Sequence, residues 1–191
     1  MKKLWQVRSL VTLSVAASLF IAPVDSLAIS KLSLVAGVYK LTAKTQKYTG
    51  EISNYGIYRI GYEQFLIPYL SVSLGYTLLF SEGIGGDAGY GMDFGVLLYP
   101  LTVFNNSTAR TSSQTLFADD IIKPSVGAFF GQRQFNSIQA GYSGFGFTAG
   151  VEYMINTYFG LKAEGRYLRL SGATNSTATE QSVYGGLTFK F

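Results

Sequence analysis

From residue 29 onward this sequence holds no apolar run long enough for a membrane-crossing helix, yet eight of its stretches alternate apolar with polar or small residues at period two. They are residues 32–42, 54–64, 67–80, 88–101, 122–133, 140–154, 158–170 and 181–191. Each is near or above the about 9–11 residues a tilted strand needs to cross a bilayer, and exceeds the roughly 5–6 of an ordinary soluble strand. Period two fixes the faces. In the last stretch Val183, Leu187, Phe189 and Phe191 share one side, with Ser182, Tyr184, Thr188 and Lys190 on the other. In the seventh, Phe159, Leu161, Ala163 and Tyr167 oppose Lys162, Glu164 and Arg166; in the fourth, Tyr90, Met92, Phe94, Val96 and Leu98 oppose Asp93.

A soluble sandwich would alternate too, so two further features decide. The charged face carries many glycines in mid-strand, among them Gly91, Gly95, Gly127, Gly146 and Gly150. Glycine weakens a solvent-washed strand, whereas a narrow barrel interior uses small residues to make room for large ones. Aromatics on the apolar face collect near strand ends: Tyr62, Tyr153, Phe159 and Phe191 at one, Tyr39, Phe80, Tyr90, Phe145 and Tyr167 at the other. Two such girdles mark the interfaces of a membrane barrel. The expected fold is therefore all-β, an eight-stranded antiparallel up-and-down transmembrane β-barrel. The runner-up is a secreted soluble barrel of lipocalin type, which leaves the girdles unexplained.

Residues 1–28 read as a secretory signal: Lys2, Lys3 and Arg8, then apolar residues 10–23, then Ser26-Leu27-Ala28. Cleavage is expected near Ala28, leaving 29–191 as the barrel. The apolar run falls short of the roughly 20 residues of a spanning helix. Without Lys2, Lys3, Arg8 and Asp25 the chain keeps twelve basic and ten acidic residues, so its net charge falls from +4 to +2. No basic cluster remains to favour nucleic acid.

The sequence closes on Tyr184-Gly185-Gly186-Leu187-Thr188-Phe189-Lys190-Phe191. This resembles the C-terminal assembly signal of bacterial outer-membrane barrels: a polar residue, then x-Gly-x-x, then aromatics at the third-last and last positions. The match runs through Tyr184, Gly186, Phe189 and Phe191. With the export signal and strand count, the chain resembles the small outer-membrane β-barrel domains of the OmpA, OmpX and opacity type. The resemblance implies a Gram-negative cell-envelope location, contact with outer-membrane lipid, and handling by the barrel-assembly machinery. A monomer is expected; no surface or periplasmic partner is identified.

The resemblance puts both chain ends on the periplasmic side. Residues 43–53, 81–87, 134–139 and 171–180 then become external loops, with tight turns at Phe65-Leu66 and Ile155-Asn156-Thr157. The connection at 102–121 is long for the periplasmic side. It is read as a flexible loop, as a hairpin extending its flanking strands, or as the sign of a miscounted topology.

The inner face collects Lys40, Arg59, Glu63, Asp93, Lys123, Glu152, Lys162, Glu164, Arg166 and Lys190, six basic and four acidic. Charges in a narrow lumen must pair, and eight strands leave an interior just wide enough for side chains to fill. The expected result is a salt-bridged plug in a non-enzymatic structural or surface-interaction protein. The alternative is a narrow pore or carrier for a small solute, with Lys162, Glu164 and Arg166 as its constriction. The chain has no Cys and no His, which removes thiolate and imidazole catalysis and Cys/His zinc sites. Barrel enzymes that the resemblance brings in (lipid A modifiers, phospholipases, surface proteases) use an active-site histidine. No cofactor or metal is expected; Glu82 and Asp87 read as solvated loop charges. Gly144-x-Gly146-x-x-Ala149 fits a dinucleotide fingerprint only formally, because it lies within an alternating strand.

Overall fold

A strand that alternates sides satisfies its own backbone only by pairing at both edges, so eight of them in a row must close on themselves or leave two edges exposed. The computed structural model, which describes residues 30–44, 49–67, 69–80, 89–100, 121–135, 140–173 and 176–191, takes the first course. Its strands are β1 (Ser30–Lys44), β2 (Thr49–Ile67), β3 (Leu70–Leu79), β4 (Gly89–Leu98), β5 (Ile122–Phe135), β6 (Ala140–Met154), β7 (Phe159–Gly172) and β8 (Thr177–Lys190). Each pairs antiparallel with its sequence neighbours, and β1 pairs with β8 to close the barrel. Ser30 and Phe191 exchange backbone hydrogen bonds of 3.0 Å at the seam.

The register sets the stagger. Lys40 pairs with Gln181, and the paired positions continue through Tyr167, Phe147, Ala128, Val96, Val72 and Gln64 back to β1 at Ser30. The circuit returns ten residues lower on the strand where it began, a shear that tilts every strand against the barrel axis. β2 accommodates one irregularity between Tyr39 and Lys40 in its pairing with β1, and another between Phe65 and Ile67 opposite β3.

The faces separate sharply. Phe145 is 75% exposed, Phe147 68% and Val183 63%, and Leu34, Ile60, Phe94, Val126 and Leu161 also point outward. Inside lie serines and threonines and ten charged side chains. Outward apolar residues with inward charges invert the arrangement of a soluble protein.

Four expectations are corrected. The segments 43–53 and 171–180 are not loops throughout, because β1 runs to Lys44, β2 starts at Thr49, β7 ends at Gly172 and β8 starts at Thr177. Phe65 and Leu66 are strand residues; Phe65 is buried against Tyr99 with ring centroids 5.2 Å apart, and the turn comes later, at Tyr69. Tyr39 belongs to no outer girdle: it is 3% exposed, points inward, and donates to the Phe80 carbonyl at 3.1 Å. Lys40 accordingly faces outward and is exposed. The physical reason is shared by the last two. Near the loops the wall stands clear of the apolar belt, and there the polar side chains turn out while Tyr39, Leu41, Ile57, Leu79, Phe135, Tyr142, Leu168, Leu170 and Ala178 fill the inside. The signal at 1–28, the connection at 102–120, Glu82 and Asp87 lie outside the described residues.

The turn between β6 and β7 shows local chemistry as expected of Asn156. Its Oδ1 accepts hydrogen bonds from the backbone N–H of Tyr158 at 2.9 Å and of Phe159 at 2.8 Å, closing the bend in the manner of an Asx turn.

Candidate functional site

Because inward positions recur every second residue, each strand delivers its charges to the same lumen at heights fixed by the stagger. Arg59 and Glu63 come from β2, Asp93 from β4, Arg133 from β5, Glu152 from β6, Lys162, Glu164 and Arg166 from β7, Glu180 from β8 and Lys31 from β1. Among the described residues these are five bases and five acids, each under 9% exposed. The charges of these ten sum to zero.

Nine of the ten form one chain of alternating sign. Near the turn end Lys31 Nζ lies 2.8 Å from Glu152 Oε2 and 3.1 Å from Glu63 Oε2. Lys162 Nζ bridges Glu63 Oε1 at 3.1 Å and Glu164 Oε2 at 2.7 Å. Arg166 continues from Glu164 Oε1 (Nε, 3.4 Å) to Asp93 Oδ2 (Nη1, 2.7 Å). Arg133 Nη1 then meets Asp93 Oδ1 at 2.8 Å, and its guanidinium reaches Glu180 at the loop end. Arg59 joins as a branch, its Nε 3.5 Å from Asp93 Oδ2. Hydroxyls occupy remaining acceptor sites: Thr77 donates to Asp93 at 3.1 Å and Thr188 donates to Glu152.

Tyr99, just past the end of β4, ties the turn end together. Its hydroxyl donates to Glu63 Oε2 at 2.5 Å and accepts from Lys31 Nζ at 2.8 Å. Its ring also faces Lys31 Nζ at 5.0 Å and packs with Phe65 and Leu97 into a small apolar cluster. At the other end Phe129 lies beneath Arg166, the guanidinium carbon 3.7 Å from the ring centroid, and belongs to the larger apolar cluster of the loop end. The ion chain is thus bounded by apolar side chains toward both openings. In such a place attraction between the charges offsets the several kcal/mol per ion that desolvation costs, and the net gain is small. Breaking one link is a different matter, since it strands a charge.

Glycines make the space. A Cβ at Gly75 would stand 2.6 Å from Nε and Nη2 of Arg59, and one at Gly61 2.7 Å from its Nη1. A Cβ at Gly91 would fall 2.6 Å from Arg133 Nη1, and one at Gly146 2.6 Å from the Phe129 ring. Only hydrogen fits beside guanidinium groups held this tightly.

Of the ten lumen residues expected from sequence, seven meet here: Arg59, Glu63, Asp93, Glu152, Lys162, Glu164 and Arg166. Lys40 does not, and Lys123 and Lys190 are only partly buried toward the turn end. Sequence reading missed Lys31, Arg133 and Glu180, each at the margin of an alternating stretch. Their parity alone would have found them: Lys31 continues Ser33 and Val35, Arg133 continues Phe129 and Gly131, and Glu180 continues Ser182 and Tyr184. In the C-terminal motif, Tyr184 is buried in the lumen and Phe189 stacks edge-on against Phe159 at 5.3 Å. Gly186 passes so near β1 that a Cβ would be 2.6 Å from Val35 Cα.

No protein-family model matches the chain, and no curated protein matches it in sequence. Solved structures do match in shape. Neisserial surface protein A aligns with a TM-score of 0.57 at 17% identity, over 86% of this chain and 99% of that one. The N-terminal β-barrel domain of OprF from Pseudomonas aeruginosa aligns with a TM-score of 0.54 at 12% identity, over 87% and 98%. At such identity the likeness is one of fold, and the fold is that of the small outer-membrane β-barrels, of the OmpA and OmpX kind.

Proposed function

We propose that this chain is an integral outer-membrane protein whose lumen is a permanent plug, and that it acts as a structural or surface-interaction element without enzymatic activity. One observation carries the reading: the outer wall is apolar while five acids and five bases neutralise each other inside. Exposed phenylalanines and valines need an apolar solvent. Acids each engaged by a cation, between two apolar clusters, support a plug over an open channel. The same engagement supports the non-enzymatic reading, since a general base needs an open lone pair within reach of a substrate. The absence of His from the sequence removes the usual base as well. Export by the segment 1–28, handling by the assembly machinery through Tyr184, Gly186, Phe189 and Phe191, and a monomeric state complete the proposal.

Two measurements test it. The protein should fractionate with outer membranes and shift in gel mobility on heating, and a chain fully soluble without detergent would sink the membrane reading. In planar bilayers the folded protein should show no stable open level; steady single-channel steps would replace the plug by the pore.

A further inference from the structure

The lumen sorts its bases by kind. Its arginines, Arg59, Arg133 and Arg166, occupy the middle and the loop end, whereas its lysines, Lys31, Lys123, Lys162 and Lys190, all stand close to the turn-side ends of their strands. The ten buried charges that sum to zero include only Lys31 and Lys162 of these. Lys123 and Lys190 therefore leave the lumen, among the described residues, with an excess of positive charge at one end. Both face inward by the alternation of their strands, Lys123 in step with Ser125 and Lys190 in step with Thr188, yet both keep some contact with solvent. Each also has interactions of its own within the protein, so the excess charge, and no empty valence, is what distinguishes this mouth.

The register brings like charges together there. Lys190 pairs directly with Lys31 across the β1–β8 seam, and Lys123 shares a row with Glu152 and Lys162. Like charges placed opposite each other repel, and Glu63 and Glu152 already serve Lys31 and Lys162. An eight-stranded interior is only about as wide as the side chains that fill it, so ammonium groups from β5 and β8 reach toward the same axis. Farther in, the cluster of Phe65, Leu97 and Tyr99 and the ion chain close the floor. A blind cleft with low-dielectric walls and a surplus of one sign concentrates counter-ions. The kind of base matters as well. A guanidinium locks onto a carboxylate as a fork, whereas an ammonium is a compact, well-hydrated point charge that takes phosphate in many geometries. We infer that the turn-end mouth of the lumen binds the phosphate group of a soluble solute, whose charge of about −1.5 to −2 at neutral pH matches Lys123 and Lys190 together. The plug stays in place: the solute docks at the mouth and does not pass.

The test uses the full chain folded in a zwitterionic detergent at low salt, with inorganic pyrophosphate as the probe and titration calorimetry as the readout. The wild type should bind pyrophosphate at a single site. Lys123→Gln combined with Lys190→Gln should weaken binding by about tenfold or more, the loss expected when charge-assisted contacts are removed. If that double variant lacks the folded band in heat-modifiable gel mobility, Lys190→Gln alone carries the comparison, with a loss of about threefold or more. Lys40→Gln combined with Lys44→Gln removes the same charge from the outer wall at the loop end and should bind like the wild type. Absence of binding by the wild type, or undiminished binding by the folded turn-end variants, would overturn the site. An equal loss in the loop-end variant would overturn it too, because net charge alone would then explain the binding. Citrate binding as tightly as pyrophosphate would overturn the assignment to phosphate.

Discussion

Arg133 grips Glu180 across the lumen through two parallel hydrogen bonds, Nε to Oε2 at 2.7 Å and Nη2 to Oε1 at 3.1 Å. The two residues stand on β5 and β8, strands that do not touch as neighbours in the sheet. Such a bidentate pair fixes direction as well as distance. It therefore fastens two non-adjacent strands at the end of a chain of alternating charges.

Arg133→Met should cost about 3–5 kcal/mol, because it removes the one ion-pair partner Glu180 has among the described residues and loosens Asp93. Adding Glu180→Gln to it should recover about 1–3 kcal/mol relative to the sum of the single changes, the mark of direct coupling. Urea unfolding of the protein in detergent reads both. Additive losses would show that the pair is not a unit.

Gly75 and Gly185 make a matched contrast. Gly75 faces inward, and a methyl there would stand 2.6 Å from the Arg59 guanidinium; Gly185 faces outward with nothing within 4 Å. Gly75→Ala should destabilise by about 1–3 kcal/mol through overpacking around the buried Arg59 guanidinium. Gly185→Ala should be neutral or gain up to about 1 kcal/mol from a stiffer unfolded chain. Equal effects from the two would show that these glycines serve backbone freedom, with space for buried charge irrelevant.

Phe191 is 68% exposed and packs little, although its backbone pairs with Ser30. Phe191→Ala should leave the unfolding midpoint of the purified, refolded barrel within about 0.5 kcal/mol. If the terminal aromatic is read during assembly, the same variant in cells should show a several-fold drop in heat-modifiable, membrane-inserted protein. Loss of stability in the refolded barrel would make the residue structural, and normal insertion in cells would remove the assembly role.

The strand count, the antiparallel order and the two faces of β3, β4, β6, β7 and β8 were legible because those strands keep one parity over the residues that were read. Strand ends were not. Ala43 and Ala178 pack inside the wall at positions that composition would class as loop, since the pairing of β1 with β8 extends regular structure there. Lys40 shows where composition misleads: charge does not mark the inside along the whole strand. The parity of Lys31, Ser33, Val35, Tyr39 and Leu41 runs unbroken, and obeying it would have sent Lys40 outward and brought Tyr39 in.

The sequence by itself determined which residues can share a face and that the chain has enough such stretches to close, because period two is a property of the extended backbone alone. It supplied seven of the ten buried charges by the same rule. Which charge meets which was decided only in three dimensions. The ten-residue stagger around the barrel brings Lys31 to Glu63 and Glu152, and Arg133 to Glu180, from strands far apart in the chain. Closure and stagger depend on every strand at once, and so no local pattern contains them.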